Sequence, residues 1–207
     1  MRQSALASGA PQSPVDIRIL DMAALHIRQF GLGKTTIVSI AETAGMSHAN
    51  VYRYFSSKEA VLDAVTEQWL KPVEAGLREI TDSADPAYDK IERVISMIYR
   101  AYRSKLEDDA NIFTLLANAA REEREVAIRH RKRVFSDLAH VVEEGMASGV
   151  FFNGDVQRAV SLVTDAAHRF IHPASIILDR SVGRSQLDAR FERVSRLIGR
   201  ALISGAR

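Results

Sequence analysis

Apolar side chains recur every three or four residues through almost the whole of this 207-residue chain. This is the period of an amphipathic α-helix, and no segment shows the strict apolar–polar alternation of a half-buried β-strand. The pattern therefore predicts an all-α protein of about nine helices. The first helix should run from Asp16 to Phe30 and end at Gly31, with an inner face made of Ile17, Leu20, Ala24, Ile27 and Phe30.

Capping residues and prolines predict where the other helices begin and end. Ser56 precedes Glu59 by three residues, the spacing of a capping box, so a helix should begin after Ser56. Pro72 should kink or end that helix, because proline lacks an amide hydrogen. Residues 81–86 form the clearest linker. The remaining helices are predicted at about 37–44, 48–54, 87–106, 121–147, 155–171 and 187–203, with a shorter one around 112–119.

Composition narrows the class of protein. The chain has no cysteine, which excludes disulfides and thiolate metal sites. No apolar run approaches the roughly 20 residues that span a bilayer, so we expect a cytoplasmic protein that does not enter a membrane. Residues 1–14 lack the apolar core of a signal peptide and predict a disordered arm. Residues 1–58 carry six basic side chains against three acidic ones, which favours nucleic-acid binding at this end.

The most informative segment is Thr36 to Phe55, which has the spacing of a helix-turn-helix. Ala41 allows close approach of the two helices, Gly45 suits the turn, and Val51 provides an apolar anchor in the second helix. Ser47 is placed to cap the second helix. Its exposed N-terminal half, where bases are contacted in such motifs, would then present His48, Ala49, Asn50 and Arg53.

A helical hairpin buried in an all-α core is the alternative interpretation of the same spacing. The sequence Tyr52-Arg53-Tyr54-Phe55 argues against it, because consecutive helical residues cannot all face inward. We expect Phe55 to be the buried anchor. The hydroxyls of Tyr52 and Tyr54 and the charge of Arg53 would remain available to phosphates.

Residues 19–65 together resemble the DNA-binding domain of the tetracycline-repressor (TetR) family. The hallmark of that family joins a T-x-x-x-I-A-x-x-A-G core to a Y-x-Y/H-F-x-x-K-E-x-L close. Ile27 stands where many members carry phenylalanine, which is a conservative core change. The matching positions in this chain are Thr36, Ile40, Ala41, Ala44, Gly45, Tyr52, Tyr54, Phe55, Lys58, Glu59 and Leu62.

The resemblance implies a homodimeric, ligand-responsive regulator, most simply a repressor that binds a palindromic operator and is released by a small organic effector. Residues 1–60 would bind DNA, and residues 61–207 would bind the effector and dimerise. Thr36 and Lys58 also lie at the N-termini of predicted helices, where free N–H groups favour anions. By the resemblance, the phosphate contacts would be Thr36, Tyr52, Tyr54 and Lys58, and the residues facing bases Ser47, His48, Ala49, Asn50 and Arg53.

The family's last two helices form a four-helix bundle between subunits. In this chain the apolar rows of these helices are expected to lie in that interface, so that charges at Val194 and Ile198 would give monomers. The rows are Val156, Val160, Val163, Ala167 and Phe170 in one helix and Phe191, Val194, Ile198 and Ala201 in the other. The effector would lie among earlier helices. The candidate pocket residues, each of which is alternatively a plain core residue, are Tyr99, Tyr102, Asn111, Phe113, Asn118, Phe135 and His168.

Other interpretations are weaker. Asp165, His168 and His172 have the spacing of metal ligands, but histidines of the core or interface explain them better, so neither a metal nor a cofactor is predicted. The basic run at 129–133 is expected to be a solvated helix face. The chain lacks the common catalytic motifs, so it is not expected to be an enzyme. A constitutive architectural DNA-binding protein without an effector remains the alternative function.

Overall fold

The computed structural model describes residues 13–205, and its regular structure within that range is entirely helical. This confirms the predicted all-α class. The short helix at Pro173–Leu178 was not predicted. A 3-10 helix (Leu32–Lys34) accompanies ten α-helices: α1 (Pro14–Phe30), α2 (Ile37–Thr43), α3 (His48–Tyr52), α4 (Lys58–Thr81), α5 (Ala87–Asp108), α6 (Ala110–Arg121), α7 (Glu125–Ala147), α8 (Val156–Ile171), α9 (Pro173–Leu178) and α10 (Arg184–Ser204).

The chain divides into two compact units, 1–65 and 66–207. The division falls inside α4, five residues beyond the boundary after residue 60 that the sequence predicted. The helix does not end at Pro72 but continues to Thr81. Its N-cap is Ser57 rather than the predicted Ser56, because the Ser57 hydroxyl accepts the amide hydrogen of Ala60 at 3.1 Å.

The first unit packs α1 against α2, and α2 against α3. Ser13 and Pro14 belong to α1 and not to a disordered arm, since Ser13 and Asp16 form a capping box that begins the helix. The rest of the predicted arm, 1–12, lies outside the described residues. The inner face of α1 also differs from the prediction. Ile17 and Phe30 are exposed, and the fully buried apolar residues of this unit are Ile19, Leu20, Ala23, Ile27, Ile40, Val51 and Val61.

The second unit is built around α5, which packs against α6, α7, α8, α9 and α10. The apolar row of α8 that was expected in a dimer interface lies instead in this core, and so does Ile198 of α10, which is only 1% exposed. The prediction of the interface differs from the structure because α8 and α10 each pack an apolar face against α5. The three- and four-residue period of the sequence identifies this inner face and not the outer one.

Two buried basic residues tie helix ends to this core. Lys90 of α5, 3% exposed, donates to the carbonyl of Thr81 at the end of α4 (3.0 Å) and to Glu144 of α7 (2.7 Å). Arg103 of α5 donates to the carbonyls of Asp179 (3.1 Å) and Val182 (3.0 Å), beyond the end of α9. Lys90 thus satisfies a carbonyl at the end of α4, where no further turn supplies an amide hydrogen, and Arg103 holds the turn that links α9 to α10.

Gly145 of α7 provides a test of this packing. A Cβ there would overlap the buried ring of Phe151, whereas one at Gly183 would meet no atom within 4 Å. Alanine normally stabilises a helix relative to glycine by about 0.5–1 kcal/mol. Gly145→Ala should instead lower the free energy of unfolding by about 1–3 kcal/mol through overpacking. Urea denaturation measures the free energy of unfolding of Gly145→Ala and of the control Gly183→Ala. Equal stabilities of the two variants would contradict a close contact between residue 145 and the Phe151 ring.

Candidate nucleic-acid interface and ligand cavity

The predicted helix-turn-helix is present in the first unit. Thr36 caps α2 and Ser47 caps α3, where the Ser47 hydroxyl accepts the Asn50 amide hydrogen at 3.2 Å. Between them Gly45 has φ of 65°, and the amide of Met46 donates to the carbonyl of Ala41 at 2.9 Å. This is a Schellman ending, which a residue with a Cβ would disfavour.

Most of the predicted DNA-contacting side chains share one exposed surface around α3. Two are only half-exposed: Lys58, at the first position of α4, and Asn50, whose amide lies 3.8 Å from the sulfur of Met46. Seven others are exposed, namely Thr36, Ser47, His48, Ala49, Tyr52, Arg53 and Tyr54. Exposed hydroxyls, an imidazole and a guanidinium are the groups that contact phosphates and base edges.

The anchor of this surface is Val51 rather than Phe55. Val51 is fully buried, whereas Phe55 is half-buried and lies beyond the end of α3. The amides of Tyr54 and Phe55 both donate to the carbonyl of Val51 at 3.0 Å, which closes the helix and turns the chain towards α4. Tyr52 and Tyr54 consequently remain exposed on either side of Arg53.

Sequence reasoning did not single out Arg18 of α1. A nitrogen of its guanidinium lies 3.3 Å from where a Gly45 Cβ would stand, so a cation adjoins the turn of the motif. No local pattern around Arg18 indicates this, because its position depends on how α1 packs on α2.

A cavity of about 250 Å³ lies within the second unit, between α5, α6, α7 and α8. Three of the seven predicted pocket residues line it: Tyr102, Phe135 and His168. Two larger depressions, of about 810 and 590 Å³, have mixed acidic and basic walls along α5, and we consider them less suited to an organic ligand.

The other four candidates do not line this cavity. Phe113 is fully buried beside the rings of Trp69 and Tyr102. Asn111 is exposed, and Asn118 is hydrogen-bonded to Arg121. Tyr99 stacks on Phe191 and donates to Asp188 at 2.8 Å. Burial, followed by the bond and charge of Asp188, raises the pKa of Tyr99 well above its ordinary value.

A hydrogen-bonded chain connects the cavity wall to α4. The Tyr102 hydroxyl lies 2.6 Å from Nε2 of His130, and Nδ1 of His130 lies 2.8 Å from Glu74 of α4, which also pairs with Arg133. Burial opposes ionisation of Glu74. The hydrogen bond from His130 and the charges of His130 and Arg133 outweigh it, so the pKa of Glu74 is lowered. Burial, then the Glu74 charge, raises the pKa of Tyr102, which stays protonated.

His130 is the central residue that sequence reasoning missed, since it belongs to the basic run interpreted as a solvated face. It is buried. The signal was nevertheless present: His130 lies four residues from Val126 and four from Val134, and both of these are buried apolar residues of α7. This spacing places the imidazole on the inner row of the helix.

His168 and His172 also line the cavity, and His172 links α8 to α9. Their rings stack with centroids 4.5 Å apart. Nδ1 of His172 is buried and has no hydrogen-bond partner among the described residues. Burial, and then the charges of His168 and Arg131, lower the pKa of His172. Within residues 13–205 no group of three side chains is arranged to hold a metal ion.

Family comparisons agree with this geometry. Residues 19–65 match the model of bacterial regulatory proteins of the tetR family, and residues 87–195 match a tetracyclin repressor-like C-terminal domain. The chain belongs to the TetR family. It is therefore a DNA-binding transcriptional regulator and not an enzyme, as predicted. None of the helices within residues 13–205 has the length and apolar character needed to cross a membrane.

Similar proteins include other members of the TetR family. The chain is 26% identical over 174 residues to the transcriptional repressor KstR2 of Rhodococcus jostii, which covers 82% of this chain and 85% of KstR2. Its fold resembles that of the fatty acid degradation regulator FadR of Bacillus halodurans (TM-score 0.69, 18% identity, 96% and 99% coverage). FadR of Bacillus subtilis, solved with stearoyl-CoA, gives a TM-score of 0.66 at 21% identity, with 92% and 99% coverage.

The pKa shift of Glu74 predicts a pH-dependent contribution to stability. A carboxyl whose pKa is lowered by folding stabilises the protein above its ordinary pKa of 4.5, and this contribution is lost as pH falls through the lower, folded-state value. At pH 7, Glu74→Gln should cost about 1–3 kcal/mol, because it leaves Arg133 and His130 without a carboxylate. Urea denaturation should show the cost shrinking below pH 4.5.

Glu67→Gln is the matched control on the same helix. Glu67 pairs with Arg129 at 3.5 Å across a half-exposed surface, so its replacement should cost at most about 1 kcal/mol. A loss at Glu74 that is equally small at pH 7, or one that stays constant into acid, would contradict the assignment of Glu74 as the ionised partner of His130 and Arg133.

Proposed function

We propose that this protein is a homodimeric repressor that binds a palindromic operator and releases it when a small organic effector enters the cavity of the second unit. The observation that supports a ligand response is the series of hydrogen bonds from Tyr102 through His130 to Glu74. It joins the cavity wall to α4, the helix that begins at Lys58 just after the helix-turn-helix. The related KstR2 is a named repressor, which favours repression over activation. A regulator bound to chromosomal DNA would act in the cytoplasm.

For DNA recognition we propose the division of roles that the sequence suggested. Thr36, Tyr52, Tyr54 and Lys58 would contact phosphates. The residues that would face bases are Ser47, His48, Ala49, Asn50 and Arg53. The helix N-termini at Thr36 and Lys58 favour bound anions. Arg53 is exposed and carries a forked donor suited to guanine.

The release of DNA would follow from geometry. Two recognition helices of a dimer must enter major grooves about 34–36 Å apart, so a shift of a few ångströms prevents simultaneous docking. A ligand in the cavity lies against Tyr102 and His130, and any change in their hydrogen bonds alters how Glu74 holds α4. We propose that this contact couples effector binding to the spacing of the recognition helices.

The dimer interface is proposed on the outer face of α8 and α10, which pack against each other. Each helix carries a row of small or aliphatic side chains that the subunit leaves exposed or half-exposed. Leu197 is the largest of them and is 62% exposed. The rows are Ala159, Leu162 and Ala166 on α8, and Val194, Leu197 and Ala201 on α10. The proposed interface thus keeps Val194, which the sequence placed there, but not Ile198, which is buried within the subunit.

The DNA-binding proposal is tested by selecting an operator from a random duplex library and measuring binding to it. Arg53→Ala should cost about 1–3 kcal/mol on the selected operator and less on a scrambled duplex. The control Lys132→Ala removes an exposed charge of α7 and should leave both affinities unchanged. Measurements at two salt concentrations separate the roles, because equal loss on both duplexes would place Arg53 on the phosphate backbone. Failure to select any duplex would contradict operator binding.

The dimer proposal predicts that Leu197→Arg produces monomers. The substitution places a charge in an apolar contact and beside Arg193, Arg196 and Arg200 of the same helix. Ser136→Arg adds the same charge to an exposed position of α7 and should remain dimeric. Sedimentation velocity distinguishes these states. A Leu197→Arg protein that stays dimeric would require an interface elsewhere.

A further inference from the structure

We infer that the cavity binds a compact organic monocarboxylate, whose carboxylate lies against His172, His168 and Arg131 and whose apolar body lies between α5, α6 and α7. The inference rests on the proposed ligand response of the protein. It adds the chemical class of the ligand, its orientation and a dependence of binding on protons.

The size and walls of the cavity define the ligand body. About 250 Å³ is slightly below the roughly 300–1,000 Å³ of common small-molecule sites, so the enclosed part of the ligand must be compact. Ten of the seventeen lining residues are aliphatic or carry a Phe or Tyr ring, among them Ile98, Leu116, Val134, Phe135 and Ile171.

The polar groups that line the cavity are not equivalent. Tyr102 and His130 bond to each other, and His130 also bonds to Glu74, so these groups already have partners. Nδ1 of His172, by contrast, is buried without a partner among residues 13–205. An unsatisfied buried nitrogen is costly, and a ligand that bonds to it removes that cost.

The charges around His172 favour an anion as that ligand. Arg131 and His168 line the cavity with His172 and, after burial, their charges are what lower the pKa of His172. Asp165 and Glu123 also line the cavity and, like Arg131 and His168, are exposed to solvent, but neither acid is among the groups that shift the pKa of His172. A carboxylate would accept a hydrogen bond from the imidazole and be attracted by Arg131.

Binding of a carboxylate should take up a proton. The titratable or charged groups that share the cavity with His172 are Tyr102 on α5, Arg131 and His130 on α7, His168 and Asp165 on α8, and Glu123 before α7. In the free protein the pKa of His172 lies below its ordinary 6.5, so the ring is neutral at pH 8. A bound carboxylate raises that pKa by favouring the protonated imidazole. Affinity should therefore increase as pH falls from 8 to 6.

The test is isothermal titration calorimetry of the full chain with ligands that share one apolar body. Octanoate, octanol, octylamine and octanoyl-CoA present a carboxylate, a neutral hydroxyl, a cation and a bulky thioester on the same alkyl group. The pair 2-naphthoate and 2-naphthol repeats the comparison on a rigid body. We expect one of the two carboxylates to bind at least about tenfold more tightly than the alcohol, and where present the amine, that shares its apolar body. The same carboxylate should bind about tenfold more tightly at pH 6 than at pH 8.

Substitutions test the orientation of the ligand. His172→Asn should remove most of the pH dependence and weaken carboxylate binding about tenfold, and Arg131→Gln should weaken binding while leaving the pH dependence. His140→Asn replaces an exposed histidine of α7 outside the cavity and should change neither. Thermal unfolding of each variant checks that it is folded. If His172→Asn fails to fold, Arg131→Gln and the pH dependence of the unmodified chain still test the inference.

Several outcomes would overturn the inference: no binding of either carboxylate, equal or tighter binding of the alcohol or amine, binding of octanoyl-CoA alone, or an affinity that is independent of pH. Operator binding by the ligand-free protein is measured in parallel. If operator binding is intact and carboxylates fail, the ligand class is wrong and the regulator remains. If no operator is bound, the proposed function itself is wrong.

Discussion

One continuous helix is the constraint on which the architecture depends. Residues of α4 belong to both compact units, and the helix is continuous from Lys58 to Thr81. The second unit holds its part of α4 through the buried apolar residues Leu70, Val73, Leu77 and Ile80 and through two polar attachments, one at Glu74 midway and one at the Thr81 carbonyl at the end. Both attachments are charged, buried or half-buried, and made by side chains of α5 and α7. Polar bonds of this kind have preferred geometries, so they specify the position of a helix more narrowly than apolar contact alone.

Local features of the chain were predictable because they depend on neighbouring residues. Ser47 caps α3, Gly45 adopts the left-handed turn and Val51 is buried, as the spacing indicated. These properties follow from backbone geometry within a few residues. The same holds for the all-α class, which requires only the three- and four-residue period.

Features that depend on which helices meet were predicted less well. The apolar row of α8 and Ile198 were assigned to a dimer interface because periodicity identifies an apolar face without identifying its partner. Asn111, Asn118 and His130 show the same limit in the second unit: the two asparagines lie away from the cavity, while a histidine in a basic run lines it. The helix at Pro173–Leu178 is too short to display a period at all.

Pro72 weakens the backbone hydrogen bonding of α4 at one turn. Without an amide hydrogen at residue 72, the carbonyl of Gln68 lacks its usual partner one turn earlier, and the helix has one fewer internal bond there. Backbone amides in this turn should exchange with solvent deuterium sooner than those near Glu74 or Thr81, because opening this turn breaks fewer bonds. The side chains of this turn nevertheless belong to the core of the second unit, where Leu70 is buried and the ring of Trp69 lies 5.8 Å from that of Tyr102. Bending at Pro72 would therefore shift the aromatic contacts that α4 makes with α5.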